Sequence, residues 1–260
     1  MTPKVLWLAP PGKTQIVIKI IPGVREYSDA IKVDTDENWH RRLSANPKLF
    51  DGPVWSVVNW CTSGEGGKDT TERCRGFPDS HALHLHFEMQ LTSYKYVLYT
   101  HFTPKGLALP SEARSNALGC SAICLTSDGH VVLGLRSMVC GTEPGLWHLV
   151  PAGNVDRPDI DHVILDEHEE ELGYRAKLPA EDGCDDHDKL SVFGVLDTGL
   201  YQGHKLEVVY LLRLRSKTFS DLKQLFKKND EHDELIGVKS FPKDLNLTEA
   251  ARATLGIFYS

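Results

Sequence analysis

The order in which the hydrophobic period switches along this chain is the feature that most limits its fold. Alternation marks strands, and a period of about 3.6 marks helices. Between residues 117 and 258 the order is β-β-β-α-β-β-α-β-α. "ALGCSAICLTSDGHVVLGLRS" (117–137) reads as strand, turn at Asp128-Gly129, strand, and "GLWHLVPAGN" (145–154) reads as a third strand. A helix follows over 160–172 and a polar loop over 180–188. Strands 191–200 and 206–215 precede a helix over 220–229 with Ser220 as N-cap, a strand over 234–242 and a last helix over 247–258. This order predicts an α/β (α+β) fold, a mixed sheet with helices on its faces.

The first hundred residues have another texture. Within 4–21, "KVLWLA" and "TQIVIKI" read as two strands joined at Pro10-Pro11-Gly12. A short helix within 36–53 stops near Asn46-Pro47, and "VWSVVNW" (54–60) is a strand. Residues 62–80 are polar and Gly-rich and read as a loop. Over 81–91, Leu83, Leu85, Phe87 and Met89 alternate with His84, His86, Glu88 and Gln90. That predicts a half-solvated strand, its two histidines on a polar outer face and not metal ligands. "PKGLALPSEARS" (104–115) reads as a crossing segment, so a β-rich part, 1–108, is expected before a second domain, 109–260.

Composition narrows the function. A net charge of −7 argues against nonspecific nucleic-acid binding through a basic face, though not against a local basic pocket. No window is long and apolar enough for a membrane span, and the N-terminal apolar run, broken by Pro10-Pro11, is too short for a signal peptide. The cysteines, Cys61, Cys74, Cys120, Cys124, Cys140 and Cys184, form no CxxC pair and are read as thiols of a reducing compartment. Those readings predict a cytoplasmic protein, the nucleus being the other reducing compartment open to it. The sequence leaves the oligomeric state open.

The stretch "LDEHEEELGY" (165–174) sets a physical problem. It stacks carboxylates just before Leu172-Gly173, a helix end, where the dipole disfavours negative charge. Glu167, Glu170 and Glu171 stand at i, i+3 and i+4 and share one face, where they repel. A bound divalent cation removes both penalties, which makes the three a candidate metal site; a solvated acidic face is the plainer alternative.

These residues carry a resemblance. "VLGLRS", "GLWHLVPAGNVDRPD" and "ILDEHEEELGY" resemble the Nudix hydrolases. Gly153 fits the opening glycine of their box, and Glu167, Glu170, Glu171, Gly173 and Tyr174 fit its closing half. Ala152 replaces the first glycine of the usual pair, Asp159 the first glutamate, Asp166 the arginine, and His168 an apolar residue. The spacing from Asp159 to Asp166 is one residue short. Upstream, Trp39, Arg42-Leu43, Pro47, Leu49-Phe50-Asp51 and Leu91-Thr92-Ser93-Tyr94 resemble the UDP-glucose pyrophosphatase branch, which has a degenerate box and an N-terminal extension.

The resemblance implies an α/β/α sandwich and Mg²⁺-dependent cleavage of UDP-glucose or UDP-galactose to UMP and sugar 1-phosphate, with Mn²⁺ as the other cation. It implies Glu167, Glu170 and Glu171 as metal ligands. Arg136, beside the box, is the candidate phosphate clamp, since a guanidinium fork matches phosphate oxygens. Gly153 and Asn154 would lie along the substrate, and Tyr94 or Phe102 would stack on the uracil unless it serves the core. Glu207 and Glu234 are the candidate bases. The N-terminal half is expected to close one side of the pocket. A pyrophosphatase for ADP-ribose, a dinucleotide or coenzyme A, and an inactive nucleotide-sugar-binding module, are the competing readings.

Overall fold

Alternation in the strands builds two apolar surfaces on one sheet, and that positions everything else. The computed structural model describes residues 3–10, 14–63, 83–178, 187–199 and 203–260. Eight strands form the large sheet: β1 (Lys4–Leu8), β5 (Leu118–Leu125), β6 (Val131–Arg136), β7 (Trp147–Leu149), β8 (Ala152–Asn154), β9 (Lys189–Asp197), β10 (Leu206–Arg213) and β11 (His232–Val238). Its main path runs β1-β9-β10-β5-β6-β11, with β7 on β6 and β8 on β5. The β10–β5 pair is parallel and the other pairs are antiparallel, so the sheet is mixed. A smaller sheet, β2-β4-β3, comprises β2 (Gln15–Val24), β3 (Pro53–Ser63) and β4 (His84–Ser93).

Leu118, Cys120, Val208 and Tyr210 point to one face of the large sheet and meet Val163, Ile164 and Leu172 of α4 (Ile160–Leu172). Leu85, Phe87 and Met89 of β4 join the same cluster, each wholly buried. On the other face Ile123, Leu133 and Val209 meet Ala251 and Leu255 of α6 (Glu249–Phe258). The result is the mixed α/β architecture expected, with a second small sheet packed into the same core.

Several local expectations need correction. The first helix, α1 (Asp29–Ala45), starts well before residue 36 because Ser28 caps it by accepting from the Ile31 N–H; it does end at Asn46. Residues 94–102 form a helix, α2 (Tyr94–Phe102), with Val97, Leu98, Tyr99, Thr100 and His101 all buried. α3 (Pro104–Leu107) follows it directly. The next helix, α5 (Phe219–Leu225), is capped by Thr218 and not by Ser220, through a capping box with Asp221. The two N-terminal strands do not pair: β1 joins the large sheet on β9, whereas β2 lies parallel to β4 in the small one. His86 is not solvated; it is buried and its Nε2 lies 2.6 Å from Ser63 Oγ. Cys61 is disulfide-bonded, which overturns the all-thiol reading, while Cys120, Cys124 and Cys140 are free. The predicted loop 62–80 lies, beyond Ser63, outside the described residues, as does 180–186 of the second one. No helix among the described residues is long and apolar enough to cross a membrane.

Candidate active site

The acidic helix face meets the turn between β7 and β8. α4 opens on Asp159, whose side chain accepts from the His162 N–H, and closes on Gly173 in the left-handed region at φ 70°. Part of the stacked charge is matched on the solvent side: Asp166 pairs with Arg157 and Arg175, and Glu169 with Arg175. The other side turns inward. Glu171 is buried; its Oε2 accepts the Ala152 N–H at 3.0 Å, and its Oε1 lies 3.0 Å from His232 Nε2. Glu167 packs on Gly153 so closely that a Cβ there would stand 1.9 Å from Glu167 Oε1. A side chain at 153, on β8, would therefore displace the Glu167 carboxylate from its place. Glu170 is exposed on the same helix.

A cleft of about 420 Å³ opens beside this corner. Glu167, Glu207, Glu231 and Asp156 line it, and Arg136 and Lys205 face them. Gly153, Asn154 and Tyr94 line it too, as do Phe50 and neighbouring residues of the N-terminal half. Phe50 is 77% exposed, a large apolar side chain left at the mouth. Glu234 lies exposed on β11 and does not line the cleft, and Phe102 is a partly buried side chain packed with Tyr94 against Val54, Val97 and Ala117.

The charges are strongly perturbed. Burial and then the Glu171, Glu231 and Glu170 charges push the Glu167 carboxyl up to about 9. Burial, then Glu231, holds Glu171 well above the usual carboxylate range. Burial raises Glu207 as well, although Lys205 and the Ser121 hydroxyl, donating to Oε1 at 2.5 Å, oppose it. Burial lowers Lys205, whose Nζ donates to Asn154 Oδ1 at 3.2 Å. Burial also lowers His232 to about 4, so its contact with Glu171 is a neutral hydrogen bond at pH 7. Arg136 is braced by donating from Nε and Nη2 to Thr142, at 3.0 and 3.1 Å.

These residues fit a divalent cation. Atoms of Glu171, Glu231 and His232 all lie within 4.8 Å of one another; the His232 Nε2 faces Glu171 Oε1, which leaves the two carboxylates as the ligands. Carboxylates crowded until their proton affinity rises this far are relieved by a cation. Glu231, His232 and Lys205 were not singled out from sequence, and Phe50 was noted only within the motif Leu49-Phe50-Asp51. Lys205 sits two residues before Glu207 in a strand pattern, a signal that could have drawn notice; nothing local marks His232.

The shifts imply a pH dependence of stability. For Glu167 the folded value, about 9, lies above the unfolded one. Its contribution is full below the unfolded pKa and is lost as pH rises through the folded value. Glu171 and Glu207 act in the same direction. Buried His148, His168 and His232 shift down, and their contribution is complete above about pH 6.5. Between about pH 6.5 and 9 the carboxylates therefore dominate. The Tm of metal-free protein is expected to fall by at least about 3 °C across that window, and Mn²⁺ to remove most of the fall. A flat Tm without metal would mean that Glu167 ionises without cost.

No protein-family model matches the chain, and no curated protein matches it. Among solved structures it is similar to DR0079 from Deinococcus radiodurans, with 12% identity and a TM-score of 0.41, over 55% of this chain and 83% of that one. It is similar to a MutT protein from Methanosarcina mazei Go1, with 19% identity and a TM-score of 0.38, over 55% of this chain and 91% of that one. A third is a bifunctional NMN adenylyltransferase/ADP ribose pyrophosphatase from Francisella tularensis, with 18% identity and a TM-score of 0.36, over 55% of this chain and 40% of that one. Likeness at this level assigns neither family nor function.

Proposed function

We propose that the protein is a Nudix-type hydrolase, dependent on Mg²⁺ or Mn²⁺, that cleaves the diphosphate of a nucleoside diphosphate sugar. The substrates are UDP-glucose and UDP-galactose, and the products UMP and the sugar 1-phosphate. The observation that carries the reading is the division of charge in one cleft, with Glu167 and Glu231 facing Arg136 and Lys205. A diphosphate needs both, carboxylates to hold its cation and cations for its own oxygens. The motif resemblance supplies the substrate class.

Glu167, Glu170 and Glu171 would hold the cation, with Glu231 beside them. When bound, the cation supplies charge neutralisation and a more acidic water. Arg136 and Lys205 bind the phosphate oxygens and orient the bridging bond. Of the two candidate bases, Glu207 lines the cleft; its Oε1 accepts from Ser121 and leaves Oε2 to take the water's proton. The water oxygen bonds to one phosphorus, the bridging P–O bond breaks, and the other phosphate departs with the electron pair. Residues 1–108 form a wall of the cleft through Phe50, Tyr94 and their neighbours.

The test is ³¹P NMR of UDP-glucose with the protein, with and without Mg²⁺. UMP and glucose 1-phosphate are expected with Mg²⁺ alone. An unchanged diphosphate signal with UDP-glucose, UDP-galactose and ADP-ribose, under both Mg²⁺ and Mn²⁺, would sink the reading. Arg136→Ala is expected to lower kcat/KM by at least about tenfold, the cost of one charge-assisted contact to phosphate. An unchanged kcat/KM would remove Arg136 from the site.

A further inference from the structure

We propose that His232 is the positioning residue for Glu171, holding the carboxylate in the orientation that a divalent cation needs; this rests on the metal-hydrolase reading above. Each oxygen of Glu171 has a partner: the Ala152 N–H donates to Oε2, and the His232 Nε2 lies against Oε1, both at 3.0 Å. With both oxygens held, the carboxylate keeps its orientation beside Glu231, which acts on it through both its charge and a side-chain hydrogen bond.

The ring is itself fixed. His232 is wholly buried, and its backbone N–H donates to Asn229 Oδ1 at 2.7 Å. A Cβ on Gly134 would stand 2.5 Å from Nδ1, so the ring occupies space that only glycine leaves on β6. Its Nε2 is the ring nitrogen that faces the Glu171 carboxylate, at 3.0 Å. No side chain of α4 does this work. Asp166, the residue in the box where the resemblance has arginine, is turned to Arg157 and Arg175.

Side chains that orient a metal-binding carboxylate affect metal affinity directly, typically by about 10- to 100-fold. The experiment is calorimetric titration of Mn²⁺ into metal-free wild type, His232→Phe, His232→Gln and His232→Asn, with the metal-free Tm of each. Glutamine's amide nitrogen reaches the place of Nε2, whereas asparagine's reaches only that of Nδ1. Phe and Asn are expected to weaken Mn²⁺ binding by about 10- to 100-fold, and Gln to stay within about threefold of wild type. A purely structural residue would move Tm and leave the Kd of each folded variant alone. Wild-type affinity in His232→Phe would overturn the proposal. Should that variant not fold, equal affinities in His232→Gln and His232→Asn overturn it equally. Absence of Mn²⁺ binding by wild type would overturn the metal-hydrolase reading, and this proposal with it.

Discussion

Glu171→Gln is expected to lower kcat on UDP-glucose by about 10³-fold, on the order of 4 kcal/mol of transition-state stabilisation. The substitution keeps the volume and deletes the charge. Glu171 is the most deeply placed of the three box glutamates: it is 3% exposed, whereas Glu170 is exposed. The metal-free protein should lose nothing in Tm, because a neutral amide does not suffer the burial and repulsion that raise the Glu171 pKa. Loss of turnover with an unchanged or higher Tm is therefore the signature of a metal site. Turnover within threefold of wild type would remove Glu171 from it.

A chain of residues 109–260 alone is expected not to fold. The boundary at 108 separates sequence textures, but the main core crosses it. Leu85, Phe87 and Met89 are wholly buried against Leu118, Val208 and α4. Trp55, Trp60, Ile16 and Ile18 pack on the same cluster, and β1 pairs with β9 along the edge of the large sheet. Burying one such side chain contributes about 1.5–3 kcal/mol, so losing even four or five matches a typical total stability of about 5–15 kcal/mol. Circular dichroism melts and size-exclusion chromatography of the 109–260 chain decide it. A soluble monomer with a cooperative melt would show that the second part carries its own core.

The legible parts of the site were local ones. Glu167, Glu170 and Glu171 could be placed on one helix because their spacing is a property of the helix itself, and Gly173 could be read as its end because few other residues adopt φ 70° cheaply. Arg136 was legible as a strand residue beside the box, and Glu207 as a carboxylate on the strand 206–215. α2 was not legible: Tyr94, Tyr96, Val97 and Tyr99 have strand-like composition, and burial of one whole stretch of the helix overrides that preference. The solvated outer face assigned to His86 failed for a related reason, since alternation says which residues share a face but not whether something covers it.

By itself the sequence determined the order of strands and helices beyond residue 117, apart from the division of 145–154 into β7 and β8, and the acidic face of α4, because each depends on spacings of a few residues. Only the tertiary structure decided what surrounds that face. His232 and Glu231 come from β11 and the segment before it, Lys205 from the segment before β10, and Phe50 from the N-terminal half. Glu171 and His232 are 61 residues apart, and no backbone period relates them. They meet because β11 pairs with β6 while α4 packs on the adjoining strands, and the shared core that forces those contacts forms only when the whole chain folds.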